Sequence, residues 1–327
     1  MTERTLLYKE AVAEAIAEEM ARDSAVFIMG EDVGLHGGAF GATKGLFEEF
    51  GPGRVKDTPL TESVIVGAGV GAALTKMRPI VEIMYIDFMC MAMDAIVNQA
   101  AKVKYMFGGH ARVPLTIRTA YGAGRGNAAQ HSQSLETWLT VVPGLLVVMP
   151  STPYDAKGLL KSAIRNDNPV IVIENKQLYN VKGIVPEDDY TVPIGKAAIR
   201  REGSDVTLIA TSRMCEFAAS AADKLAAEGI SVEFIDPRTI KPLDMDTIAA
   251  SIAKTHRAVV VNEGPTTGGF SNEVSSKIMD HCFYDLDAPV VRVAAEDVPI
   301  PYNALMEAEV IPAEKDILAA VHKVLEN

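Results

Sequence analysis

Cysteine is scarce. The 327-residue sequence holds only Cys90, Cys215 and Cys282, far apart and without a C-x-x-C pair, which argues against a disulfide framework or a zinc knuckle and for a reducing compartment. They read as small buried apolar residues. Long apolar runs are missing too. The most apolar window, Ile83 to Ala101, is broken by Asp87, Asp94, Asn98 and Gln99, so it falls short of the roughly 20 apolar residues that cross a bilayer. Thr5 to Glu10 and the residues that follow place Val12, Ile16 and Met20 four apart among acidic residues, the pattern of an amphipathic helix and not of a signal peptide. Basic charge is not in excess. With 31 Lys and Arg against 43 Asp and Glu the net charge is −12, which makes nucleic acid or an anionic membrane an unexpected partner. The expected location is the cytoplasm, or an organelle matrix in a eukaryote.

What is present points to a folded chain. Hydrophobic residues make up 48% and charged ones 23%, enough for two domains with their own cores. Short β-rich runs alternate with helical patterns, the signature of an α/β fold with parallel sheets and crossover helices. Strands are expected at Ala25–Met29, Pro79–Tyr85, Val113–Arg118, Leu145–Met149 and Val170–Glu174, then at Val206–Ala210, Val232–Asp236, Ala258–Asn262 and Val290–Val293. Between the two series, Gly183, Pro186, acidic residues and Pro193 break any periodicity. The reading is a first domain over 1–180, a linker over 181–193 and a second domain over 194–327. Ser151-Thr152-Pro153 opens a helix that stops at Asn166 to Pro169, and Met214–Glu228 is closed by Gly229.

One stretch admits two readings. Gly67-Ala68-Gly69-Val70-Gly71-Ala72 follows Val64-Ile65-Val66 and has Asp87 twenty residues beyond Gly67, which mimics a dinucleotide-binding turn. The apolar run before it is too short for a buried strand. A helix starting near Thr61 fits better, with Gly67 and Gly71, and Gly69 and Ala73, on faces that let another helix approach closely.

The same residues also spell E-x(4)-G-Φ-x-x-G-Φ from Glu62, which resembles the pyrimidine-side motif of thiamine-diphosphate enzymes. With it come Gly30-Glu31-Asp32-Val33-Gly34, Asp57-Thr58-Pro59-Leu60-Thr61-Glu62, Ala129-Gln130-His131-Ser132-Gln133-Ser134, Asn168-Pro169-Val170 with Glu174, and Glu263-Gly264-Pro265. In that order, over essentially the whole chain, they resemble the beta subunit of the decarboxylating component of 2-oxo acid dehydrogenase complexes. The resemblance implies a pyrimidine-binding domain followed by a transketolase C-terminal-like domain, each a mostly parallel sheet flanked by helices.

It also implies roles. Glu62 would hold N1′ of the aminopyrimidine and favour its imino tautomer, a task suited to a carboxyl with a raised pKa; on spacing alone it could equally cap a helix N-terminus. His131 follows the glycine-rich segment Gly122 to Gly126. It would serve substrate handling and reductive acylation as a group that exchanges a proton near neutrality, although a lone histidine is also an ordinary surface or core residue. Phe88 and the apolar helix Met89–Met106 would line the pyrimidine pocket, with Met91 where relatives can place a glutamine. Some relatives hold a monovalent cation on a loop matching Ala163, Ile164, Asn166 and Asn168, with Leu115; an acidic residue often found at 166 is Asn166 here, which leaves potassium open.

No G-D-G occurs anywhere in the sequence, whereas a thiamine-diphosphate enzyme needs oxygen ligands for the Mg²⁺ that neutralises its diphosphate. The metal and diphosphate are therefore expected on a separate alpha subunit, in an alpha2beta2 heterotetramer that passes an acyl group to a lipoyl-bearing acyltransferase core. Pyruvate or acetoin is the expected substrate, with branched-chain 2-oxo acids as the alternative. A self-sufficient transketolase-like enzyme and a non-catalytic scaffold subunit are the rivals.

Overall fold

All nine strands expected from apolar runs form, five in the sheet of one unit and four in that of the other. The computed structural model describes residues 3–326, so the expected domain limits at 1 and 327 lie outside the described residues. Two compact units emerge. One comprises residues 1–121 and 138–194, the other residues 122–137 and 195–327.

The first unit begins with β1 (Glu3–Leu7) and a helix over Tyr8–Arg22. Ala11, Val12, Ala15, Ile16 and Met20 form the helix's buried face, as the four-residue spacing requires. Its strands are β2 (Val26–Gly30), β3 (Val55–Asp57), β4 (Arg78–Tyr85), β5 (Thr116–Tyr121), β6 (Leu146–Val148) and β7 (Val170–Asn175). Within the unit they hydrogen-bond in the order β6-β7-β5-β4-β2-β3, all parallel. β4, β5 and β7 are buried along most or all of their length, which is why they read as apolar runs rather than alternating ones. Strand β5 starts three residues later than expected. Pro114 has no N–H, and the Leu115 N–H turns back to the Val113 carbonyl at 2.7 Å, so the ladder opens only at Thr116.

The stretch expected as a linker carries a strand, β8 (Lys182–Pro186), paired antiparallel with β1 from Glu3–Pro186 to Leu7–Lys182. Gly183 and Pro186 hid it because they are permitted at edges and strand ends.

In the second unit β9 (Ala198–Arg201), β10 (Val206–Ala210), β11 (Val232–Asp236), β13 (Ala258–Pro265) and β14 (Val291–Ala295) form a sheet in the order β14-β13-β10-β11-β9; Thr239–Lys241 is a further short strand, β12. Only β9 runs antiparallel. Helices Met214–Ala227 and Glu314–Leu325 close one side of the core with Ala218, Ala222, Leu225, Ile317 and Val321.

No helix among the described residues is long and apolar enough to cross a membrane.

Candidate functional site

Parallel sheets expose functional groups at the carboxyl ends of their strands, above all where the chain order reverses. Here the chain passes from β2 outward to β3 and then back across β2 to β4, so the reversal lies between β2 and β4. Glu31 follows β2, Glu62 follows β3, and Phe88 follows β4. All three are gathered at this end of the first unit.

Each is placed by its local sequence. Gly30 ends β2 where a Cβ would stand 2.9 Å from the Glu82 carbonyl, so only glycine lets the chain leave there. Gly34 packs against the Asp57 carboxylate, which accepts its N–H at 2.6 Å, and the Thr58 N–H donates to the Gly30 carbonyl at 2.9 Å. The two motifs flanking residues 30 and 57 are thus one structural piece. It buries Glu31, whose Oε1 has no hydrogen-bond partner. Burial first, and then the charge of Glu62, raise the pKa of Glu31 above its ordinary value.

Glu62 opens the helix Glu62–Leu74 behind Thr61, and the N–H groups of Val64 and Ile65 return to the Thr61 carbonyl at 3.0 Å. Residues 64–66 are therefore helical, and the dinucleotide reading lacks its strand. Gly69 acts differently from expectation. A Cβ on Gly69 would meet Val81 at 2.8 Å and Leu115 at 2.9 Å, so Gly69 seats the helix on side chains of the sheet unit and not on another helix; Gly67 and Gly71 face open space.

Phe88 closes a short turn, Ile86–Phe88, half-buried with its ring edge-on to Tyr85 at 5.6 Å. The helix expected over Met89–Met106 is broken into Met89–Asp94, a wider π-helical stretch over Ala95–Ala100, and Val103–Met106. Such π segments often accompany functional sites. Met91 is exposed.

Beneath these groups lies a buried charge network that sequence reasoning missed. The Arg118 guanidinium donates through Nε and Nη2 to both oxygens of Glu174 at 2.8 Å, and through Nη1 to Glu82 at 2.6 Å. Tyr179 donates to Glu174 at 2.9 Å. Burial by itself would lower the Arg118 pKa, but Glu174 and Glu82 hold it raised, while burial raises Glu82 despite Arg118. The available signal was charge inside apolar strands: Glu82, Arg118 and Glu174 interrupt three buried runs, and such residues need partners.

His131 belongs to the second unit, on the segment 122–137, with its N–H donating to the Ala128 carbonyl at 3.4 Å. It is half-exposed, and the next residue, Ser132, is buried with an unpartnered hydroxyl. Ser132, Gln133 and Ser134 line a cleft of about 590 Å³ together with Glu263 and Asp297.

At the loop 163–168, Arg78 already serves three of the oxygens. Nε donates to the Ile164 carbonyl at 2.9 Å, Nη2 to the Asn166 carbonyl at 2.7 Å, and Nη1 to Asp167 at 3.0 Å. The Leu115 and Ala163 carbonyls accept from Val170 and Asn166, and the Asn166 side chain accepts from Asn168. Each main-chain carbonyl keeps a second lone pair. Among the described residues no group of three or more His, Cys, Asp or Glu side chains is placed to hold a metal ion.

The transketolase pyrimidine-binding domain matches residues 4–182, and the transketolase C-terminal domain matches residues 195–317. The chain belongs to the transketolase-type family of 2-oxo acid dehydrogenase beta subunits. It is 46% identical to the 2-oxoisovalerate dehydrogenase beta subunit of Bacillus subtilis, over 98% of both chains. Identity is 43% with the acetoin:2,6-dichlorophenolindophenol oxidoreductase beta subunit of the same organism, again over 98% of both. A pyruvate dehydrogenase E1 beta subunit of Rhizobium meliloti is 47% identical over 98% of this chain and 70% of that protein. A solved split-gene transketolase, described as an inactive beta4 tetramer, shares the fold with a TM-score of 0.80 at 24% identity, over 98% of each chain. As expected, the fold is two transketolase-type α/β domains.

Proposed function

We propose that this chain is the beta subunit of a thiamine-diphosphate-dependent 2-oxo acid or acetoin dehydrogenase, which decarboxylates or cleaves its substrate and passes the acyl group to lipoyl-lysine. The observation that carries this reading is the gathering of Glu31, Glu62 and Phe88 at the strand-order reversal, with a buried Glu31 oxygen lacking any partner. A polar nitrogen heterocycle with an apolar face fits that set: two neighbouring carboxyls to hydrogen-bond it and an aromatic side wall. Thiamine diphosphate, when bound, supplies the electron sink for cleaving the bond beside the carbonyl.

Glu62, at the N-terminus of its helix, would hydrogen-bond the pyrimidine N1′ when the cofactor is bound. Glu31 stands beside it, and burial together with the neighbouring Glu62 charge favours the protonated form of Glu31. Phe88 orients the ring and excludes water. His131, on the other unit, exchanges a proton with the substrate or with the departing lipoyl sulfur.

The diphosphate and Mg²⁺ are assigned to an alpha subunit in an alpha2beta2 assembly, which accounts for the missing G-D-G. Potassium, if the 163–168 loop takes it, would share the carbonyls of Leu115, Ala163, Ile164 and Asn166 with Arg78, and the Asn168 side chain. The reading sets the chain in a cytoplasmic multienzyme complex with a lipoyl-bearing acyltransferase core. Pyruvate or acetoin remains the preferred substrate, with branched-chain 2-oxo acids second; identities of 43–47% with all three kinds of relative do not separate them.

The test is reconstitution with an alpha-type partner, thiamine diphosphate and Mg²⁺, followed by dye-linked turnover of pyruvate, acetoin and 3-methyl-2-oxobutanoate. Glu62→Gln should lower turnover about 100-fold or more with an unchanged melting midpoint. Full activity of that variant, or turnover by this chain without a partner, overturns the proposal.

A further inference from the structure

The segment that carries His131 is tied to the second unit by carboxylates. Glu307, 2% exposed on the short helix Ala304–Val310, accepts the Gly124 N–H on Oε1 at 2.7 Å and the Gly126 N–H on Oε2 at 2.9 Å. Glu263, at the end of β13 and also buried, accepts the Ala123 N–H on Oε1 at 2.7 Å. Three amides within four residues thus end on two buried acids. The far end of the segment is held as well: the Asn262 side chain donates to Glu136 at 2.9 Å and accepts the Gly264 N–H at 3.1 Å.

The loop needs such restraint. Gly122, Gly124 and Gly126 all have positive φ, as does Ala128 at +59°, and glycine-rich backbone of this kind is entropically costly to order. A carboxylate group offers a separate acceptor oxygen to each of two N–H groups without presenting a donor to either. A glutamine of the same size would turn its amide N–H₂ toward one of them. Glu307 is anchored on its own side, where its N–H donates to the Asn303 carbonyl at 2.8 Å and Asn303 caps the helix. Apolar packing alone could have covered the loop, so two acids converging on its amides point to a fixed backbone path and not merely to burial.

We infer that Glu307, assisted by Glu263, is a positioning residue: it fixes the path of residues 122–130 and so the presentation of His131 to its substrate. The inference rests on the reading of His131 in acyl transfer given above. Neither acid touches substrate or cofactor in this scheme. Each acts through the backbone it holds, and its loss displaces the histidine without removing it.

The experiment compares wild type, E307Q and H131A as full chains assembled with the alpha-type partner. Amide hydrogen exchange over 122–131 is read by mass spectrometry, alongside turnover with a lipoylated domain and with a dye as acceptor. For E307Q, exchange over 122–131 should quicken about tenfold, the weight of one charge-assisted hydrogen bond, while other peptides stay unchanged. Lipoyl-linked turnover should fall about tenfold, and dye-linked turnover should fall by no more than that.

Unchanged exchange in E307Q overturns the inference. So does quickened exchange with wild-type lipoyl-linked turnover in a system where H131A has lost that activity. If H131A itself keeps full lipoyl-linked turnover, the His131 reading falls first and the inference falls with it. Should E307Q not melt cooperatively, E263Q carries the same comparison through Ala123.

Discussion

Gly67 and Gly69 stand on one helix two residues apart, yet a methyl group meets opposite surroundings at each. At Gly69 it would press into Val81 and Leu115, and Gly69→Ala should destabilise the chain by about 1–3 kcal/mol through overpacking. At Gly67 it would meet nothing, and Gly67→Ala should stabilise by about 0.5–1 kcal/mol because alanine loses less backbone entropy in a helix. Urea unfolding of the isolated chain checks both signs. Glu31 gives a second residue-scale test. Its pKa is raised in the folded state, so the folded chain binds its proton more tightly, and stability present at low pH is lost as pH rises through the folded value. Glu31→Gln should therefore raise the melting midpoint at about pH 8 and leave it nearly unchanged at about pH 3, where both states of the wild type are protonated. Melting curves across that range decide it. Glu62 was legible beforehand because its spacing to the helix glycines is a one-dimensional pattern. Glu31 was visible only as part of a motif, since what distinguishes it, an oxygen buried without a partner, arises from the fold.

At the scale of elements, strands and helices differed in what their sequences disclosed. Largely buried parallel strands such as β4 and β7 announce themselves as apolar runs in spite of the one acid each carries, and their expected bounds lie within a residue or so of the observed ones. β1, β3 and β8 did not, because short edge strands with exposed faces carry little apolar signal. The length of Met89–Met106 suggested one helix, but apolar periodicity does not register a change from four-residue to five-residue hydrogen bonding. Charges inside the buried strands were legible as anomalies without a partner assignment. β4, β5 and β7 are cross-linked by Arg118 to Glu82 and Glu174, so Arg118→Met leaves two buried carboxylates unpaired and should cost about 3–5 kcal/mol. Replacing Glu82 and Glu174 with leucine in the same variant should recover much of that loss, and chemical denaturation of the two variants side by side distinguishes pairing from packing.

Taken as a whole, the chain disclosed its class and its order of motifs, and less of how its backbone is shared out. Two sheets with a break near residue 190 follow from composition and periodicity, and the domain matches end and begin at 182 and 195. That residues 122–137 leave the first unit and are counted with the second has no local signature, because it depends on contacts with residues as far away as Glu307. The same holds for the pairing of β1 with β8, which ties Glu3 to Pro186. During synthesis Glu3–Leu7 must therefore wait for a partner strand made long after it, and a truncation at residue 194 would strand sixteen residues whose anchors had not yet been translated. Neither half can be harvested by a single cut.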